Sequence, residues 1–301
     1  DLHLLSRRQR QMCIRDRDRK AALEIYGIDK TKIRKYTDIV NRLAQKLSGQ
    51  KIYALLAPTA TEFYSPDDYH TGNRSQKAGI AYAYEQFKQA NLKGVDAVSS
   101  IGMHLDEYVY FRTDHHWTAR GAYYAYSAFC QAAGLEPVPL NALESGKIEN
   151  FVGSMYRYTN ADVLKNNPDY LEYFLPRREA DGEYYDDATM KNGHHLTIVS
   201  TKIGADNKYL AFIQGDTPLS KIVTDQKNGK KILVIKDSYG NALVPFLVDN
   251  YEEIYVLDPR NIETDLSSFV KTHGIQDVLL VNYSLIGGNT SYLKALDKMI
   301  G

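Results

Sequence analysis

The chain has 301 residues, 44% of them hydrophobic and 25% charged, which is the balance of a soluble globular protein with material for a sizeable core. Its 37 basic and 37 acidic residues leave no formal net charge, and phosphate binding would need a basic surplus, so nucleic acid is not an expected partner. No apolar run reaches the roughly 18 residues of a membrane span, and no basic-then-apolar leader opens the chain.

Residues 1–20, "DLHLLSRRQRQMCIRDRDRK", resemble translated sequencing-adapter or linker read-through, with a solvated charged helix start as the other reading. They are left out of the fold argument, and a natural N-terminus with any signal or anchor is expected to be missing. Two cysteines, Cys13 and Cys130, give no reason to expect a disulfide. The 24 Tyr against 9 Phe and 1 Trp stand out. Tyrosine suits wet clefts and sugar faces, but most of these read as compositional drift.

Ile33, Tyr36, Ile39, Val40, Leu43 and Leu47 recur at helical spacing, with Gly49 as a stop. "IYALLAP" reads as a short buried strand closed by Pro58, and 59–75 as a polar loop. Ile80, Tyr84, Phe87 and Leu92 suggest a second helix ending near Gly94, followed by a strand in "VDAVSS". Tyr108 to Phe111 reads as extended. Thr118 is a candidate N-cap for a helix from Ala119 to Ala133, ended by Gly134. From 139 to about 228 the helical periodicity fades. Candidate strands "HLTIVS" and "YLAFIQ" alternate with turn clusters, as in an inserted, partly β segment. After 230 the pattern is β-α-β-α-β-α. Its strands "KILVIK", "EIYVL" and "DVLLVNY" are apolar enough to be covered on both faces, so a parallel doubly wound sheet is expected. Ligands of such sheets sit at the C-terminal strand ends, here Asp237-Ser238, Asp258-Arg260 and Asn282.

Ser238 follows a strand and precedes a helix, a corner that lifts a side chain clear and aims free N–H groups at the same spot. It is a nucleophile candidate, or equally a turn serine. A serine nucleophile needs a base oriented by a carboxylate, and "TDHHWT" holds both in Asp114 and His116. A metal is the second reading, with Asp114 and His116 as ligands and His194-His195 in reserve. No HExxH or CxxC spacing supports it. Trp117 reads as a wall holding the loop or, alternatively, as a sugar-stacking platform.

"RTDHHWTARGAYYAY" together with "LVIKDSYGNALVPFL" resembles the bacterial DHHW protein family, which is similar to the SGNH-hydrolase-like domain of alginate O-acetyltransferases. The resemblance runs from about residue 22 to 301 and takes in the weaker blocks "FVGSMYR", "GDTPLSKI" and "IYVLDPR". It implies an α/β, three-layer SGNH-hydrolase-like (flavodoxin-like) fold with a parallel sheet. Residues 21–138 plus 229–301 would form that domain and 139–228 an inserted segment or cap. It implies a triad in which Asp114 orients, His116 is the base and Ser238 the nucleophile, in an order permuted from ordinary SGNH hydrolases. The implied oxyanion donors are the Ser238 N–H, an N–H around Arg260-Asn261, and Asn282, each worth roughly 2.7–4 kcal/mol. No clear Gly stands in "LDPRN" for the family's second donor. Arg260 is read as binding an anionic glycan or pairing with an Asp. His115 matches no triad position and is read as lining the cleft, bonding the loop or exchanging roles with His116. Trp117 and Tyr239 complete the substrate candidates.

The activity so implied is serine-dependent O-acyl, in particular O-acetyl, transfer or hydrolysis on a cell-surface or extracellular polysaccharide through an acyl-enzyme. No cofactor or metal is expected. A membrane-bound acyl-transfer partner and an exported, anchored location are expected. The alternatives are a non-catalytic surface or scaffold protein keeping the fold, and a metal hydrolase.

Overall fold

The computed structural model describes residues 20–66, 74–204 and 207–301, and the backbone of 13–16. An eight-stranded mixed sheet forms the middle layer. Its five-strand parallel part is β4 (Leu92–Gly94), β3 (Lys51–Ala57), β12 (Asp277–Tyr283), β10 (Lys231–Lys236) and β11 (Glu253–Leu257). β9 (Leu219–Thr224), β7 (Ala180–Tyr185) and β8 (His194–His195) extend it antiparallel beyond β11.

The strand β10 shows why three layers form. Ile232, Leu233, Val234 and Ile235 are all fully buried. Successive side chains point to opposite faces, and the strand serves two cores. Leu233 and Ile235 pack with the helices Lys30–Lys46, Leu266–His273 and Thr290–Ile300. Ile232 and Val234 pack with Ala119–Ala133 and Gly240–Leu247. Residues 139–228 do not stay apart from this sheet. They form a two-stranded sheet, β5 (Glu144–Phe151) with β6 (Asp169–Leu175), and also supply β7, β8 and β9.

The helix Ala119–Ala133 starts where Thr118 accepts the Gly121 N–H and ends at Gly134 in the left-handed region, φ 68°. Cys130 within it is a buried free thiol. Four readings are corrected. Leu92–Gly94 is a strand rather than the end of a helix, which stops at Glu85. "VDAVSS" leads into the helix Ala97–Gly102, because Asp96 caps it through the Ser99 N–H. Part of the expected 59–75 loop is the short helix Ala60–Tyr64, while 67–73 lie outside the described residues. "YLAFIQ" holds a 3-10 turn, Lys208–Ala211, and "HLTIVS" is no strand beyond His195; the two meet at the Val199–Phe212 bridge and where the Thr197 N–H donates to Gln214 Oε1 at 3.1 Å. Of the first twenty residues, Cys13–Asp16 (β1) pair antiparallel with β2, Ala21–Glu24.

Candidate active site

The strand β10 ends at Lys236, and Asp237-Ser238-Tyr239 make the turn into the helix Gly240–Leu247. Asp237 fixes this turn. Its Oδ1 accepts the Tyr239 N–H at 3.0 Å and its Oδ2 the Tyr283 N–H at 2.9 Å, joining the ends of β10 and β12. Burial outweighs those N–H bonds and raises the Asp237 pKa to about 6. Ser238 is left half-buried at the C-terminal edge of the sheet. Among the described residues its N–H has no hydrogen-bond partner.

The loop before Thr118 crosses this edge. His116 Nε2 lies 2.7 Å from Ser238 Oγ, across 122 positions of sequence. His116 Nδ1 lies 2.6 Å from Asp114 Oδ1, which also accepts the His116 backbone N–H at 3.0 Å. Asp114 Oδ2 takes the Ser154 N–H at 2.7 Å. Burial alone would raise the Asp114 pKa, but His116, His115 and the Ser154 N–H overcome it and hold the carboxyl well below the usual carboxylate range. Tyr209 stacks on the His116 ring at 4.0 Å and 9°, fixing its plane.

His115 points elsewhere. Its Nδ1 lies 2.5 Å from Ser154 Oγ. Burial first, and then the neighbouring His116, push its pKa down to about 4. It lines a cleft of about 180 Å³ with Glu24, Tyr158, Asp237, Ser238, Tyr239, Arg260, Tyr283 and Asn289. A larger cleft of about 730 Å³ is bordered by Arg260 and Asn261 but not by Ser238. The smaller one is the reaction site under a serine reading, because it alone of the two reaches the hydroxyl. Asp114, His115 and His116 also offer donor atoms within 4.8 Å of one another. That set fits a cation only if the Asp114–His116 and His115–Ser154 hydrogen bonds are given up. His194 and His195 are exposed on β8.

The DHHW protein family model matches residues 18–257. The chain belongs to the DHHW family. A DHHW family protein from Eubacterium siraeum is 32% identical over 91% of each chain, at a TM-score of 0.81. Bacillus cereus PatB1, solved with a sulfonyl adduct, is 20% identical over 93% of this chain and 97% of its own, at 0.76. The O-acetyltransferase domain of Pseudomonas putida AlgJ is 14% identical over 89% of this chain and 90% of its own, at 0.51. The last two share the fold, an SGNH-hydrolase-like α/β domain. A search of curated proteins gives no match.

Several site expectations for this DHHW protein are corrected. Asn282 is no oxyanion donor. It is fully buried, its Nδ2 donates to Tyr292 Oη at 2.7 Å, and its Oδ1 accepts from Tyr36 Oη at 3.3 Å. Strand alternation turns it into the helix layer and leaves the next residue, Tyr283, in the cleft. The backbone N–H groups of Arg260 and Asn261 are not free either, being spent on the Asp258 carboxylate and carbonyl at 3.0 Å each. The Asn261 side chain donates to the Asp216 carbonyl. The Arg260 guanidinium bonds both Asp258 and Asp216, so it pairs with acids rather than offering an open anion site. Trp117 is fully buried, which excludes a sugar platform, and its Nε1–H donates to the Tyr239 carbonyl at 3.0 Å. Tyr239 lines the cleft, with its hydroxyl donated to the His115 carbonyl.

Glu24, Gly153, Ser154 and Tyr209 belong to the site and were missed. Gly153 and Ser154 lie in the block "FVGSMYR". A Cβ at Gly153 would overlap the Asp114 carboxylate, so the contact requires glycine. Glu24 had a weak signal, a single acid in the stretch "AALEIYG".

Proposed function

We propose that this DHHW protein is a serine-dependent O-acyl transferase or esterase whose nucleophile, base and orienting acid are Ser238, His116 and Asp114. The observation that carries the reading is the hydrogen-bonded line from Ser238 Oγ to His116 Nε2 at 2.7 Å and from His116 Nδ1 to Asp114 at 2.6 Å. Asp114, kept ionised, holds Nδ1 protonated, so Nε2 presents its lone pair to the serine. As Oγ attacks an acyl carbonyl, its proton passes to His116 Nε2 and the imidazolium is stabilised by Asp114. The unpartnered Ser238 N–H is the donor available for the carbonyl oxygen as it gains charge. His116 then protonates the departing alkoxide, leaving an ester on Ser238. An acceptor hydroxyl, from sugar or water, gives its proton to His116 and attacks that ester, and Ser238 regains the proton.

The fold shared with acetyltransferase domains favours acetyl as the group and a cell-surface or extracellular polysaccharide as the acceptor, with the acyl group supplied by a membrane-bound partner. Among the described residues no helix is long and apolar enough to cross a membrane, and export with a separate anchor is part of this proposal. PatB1 has been captured with a sulfonyl adduct, and a sulfonyl fluoride is the matching probe here. The wild type should release p-nitrophenol from p-nitrophenyl acetate and take up one sulfonyl group at Ser238, read by peptide mass spectrometry. Ser238→Ala should do neither. Full acyl release by Ser238→Ala would overturn the assignment.

A further inference from the structure

One carboxyl in the Ser238 cleft has no place in that mechanism. Glu24 closes β2, where Thr61 Oγ1 donates to its backbone carbonyl at 2.5 Å. Its side chain lines the cleft beside Ser238, His115, Tyr158 and Tyr239. Its Oε2 is sealed from solvent and, among the described residues, the carboxyl has no hydrogen-bond partner. Burial raises its pKa against the pull of His115, with the Asp114 charge adding to the rise. A carboxyl in such a place costs stability, because desolvation is not repaid by hydrogen bonds. The other acids described at this edge are engaged: Asp114 by His116 and Ser154, Asp237 by two backbone N–H groups, Asp258 and Asp216 by Arg260. Glu24 alone among them borders the Ser238 cleft with no hydrogen-bond partner among the described residues.

Resting on the serine reading above, we propose that Glu24 receives a hydroxyl-bearing acceptor beside Ser238 and sets the share of acyl groups that pass to a hydroxylic acceptor rather than to water. A carboxyl is a natural partner for a sugar hydroxyl, since it keeps an oxygen able to accept a hydrogen bond whether or not it is protonated. A hydroxyl that reaches the carboxyl from the cleft side supplies a hydrogen bond that no described residue gives it. The acceptor oxygen then attacks the Ser238 ester carbon as its proton passes to His116 Nε2. The bond from that carbon to Ser238 Oγ breaks, and Oγ takes the proton back. Glu24 exchanges no proton in these steps. It holds the acceptor, so it matters only in the second half of the cycle.

That division gives the test. The first half is read as the p-nitrophenol burst and sulfonyl labelling of Ser238, and the second as the ratio of glyceryl acetate to free acetate with glycerol as probe acceptor. Glu24→Met should keep the burst and the labelling, lower the transfer ratio about tenfold, and melt no lower than wild type because an unpaired carboxyl is gone. Glu24→Gln, which still hydrogen-bonds hydroxyls, should recover part of the ratio. Glu24→Ala makes the same comparison if the thioether is not accommodated. The proposal is overturned if Glu24→Met partitions like wild type, or if burst and transfer fall together. A wild type that is neither acylated nor labelled would instead overturn the serine reading itself.

Discussion

Asp114→Asn is the most searching perturbation of the site, because it keeps the shape and removes only an acceptor and a charge. Asp114 receives three N–H groups: His116 Nδ1–H at 2.6 Å, the His116 backbone N–H at 3.0 Å and the Ser154 N–H at 2.7 Å. An amide has one oxygen to offer. If that oxygen faces His116, the new NH2 group opposes the Ser154 N–H in a buried position, a mismatch worth about 1–3 kcal/mol. If it faces Ser154, the NH2 group donates to His116 Nδ1. The ring proton then moves to Nε2, which can no longer accept from Ser238. In either orientation the imidazolium loses its anionic partner. Removing such a partner lowers acyl transfer by about a thousand- to ten-thousandfold, or about 4–5.5 kcal/mol of barrier at ~1.36 kcal/mol per decade. The assay is the p-nitrophenyl acetate burst rate near pH 7.5, with circular dichroism to establish that the fold is kept. A folded Asp114→Asn protein within about tenfold of wild type would refute the reasoning, because a triad cannot tolerate the wrong tautomer so cheaply.

Gly153→Ala places a methyl group against the Asp114 carboxylate, so Asp114 or the Gly153 backbone must move. The expected result is a stability loss of about 1–3 kcal/mol with a burst rate lowered more than about tenfold, measured by urea unfolding and burst kinetics, and wild-type values for both would contradict the contact. His115 gives a pH prediction. Its folded pKa is lowered to about 4 from an ordinary 6.5, so as pH falls the unfolded chain takes up the proton first. The unfolded state then binds more protons across that window, and stability falls from about pH 6.5 to about pH 4, by about 3 kcal/mol at the lower end. His115→Asn should remove this loss, so unfolding curves at about pH 7 and about pH 4.5 should diverge between the two proteins. Parallel pH dependence would show that His115 ionises freely in the folded state.

The alternating half after residue 230 was legible because each of its strands is an unbroken apolar run between turn signals. β10, β11 and β12 lie where those runs stand, in parallel. The same property hid the fate of Asn282. In a strand buried on both faces, hydrophobic alternation does not tell which parity faces the cleft, and Asn282 proved to serve Tyr36 and Tyr292. Around 92–102 the runs are short, and periodicity does not separate a strand end from a helix start. There the Asp96 cap was the better signal. The Asp114-x-His116 spacing and the Ser238 corner could be read locally, and the structure brings these three side chains together. The surroundings of that line could not be read. Gly153, Ser154, Tyr209 and Glu24 reach the site by long-range packing, and neither the block "FVGSMYR" nor the lone acid of "AALEIYG" tells what it packs against.

The single Trp and the abundant Tyr acquire a physical reason at the point where the two motifs meet. Trp117 donates its Nε1–H to the Tyr239 carbonyl, and Tyr239 returns its hydroxyl to the carbonyl of His115. These reciprocal bonds tie the loop of His116 to the turn of Ser238, each reaching to within one residue of that pair. Phenylalanine would fill the same volume and tie nothing. Other buried tyrosines act similarly: Tyr110 bonds the Pro58 carbonyl, Tyr123 the Val138 carbonyl and Tyr251 the Asp277 carboxylate. Holding Ser238 and His116 in contact would otherwise mean ordering two separate loops at the moment of reaction, and fixing a backbone residue costs about 1–2 kcal/mol. The stitches place that ordering within folding, so Ser238 and His116 are aligned in advance, as the proposed reaction would require. The two motifs therefore work as a unit, since Trp117 and Tyr239 each need the other to hold the residue beside it.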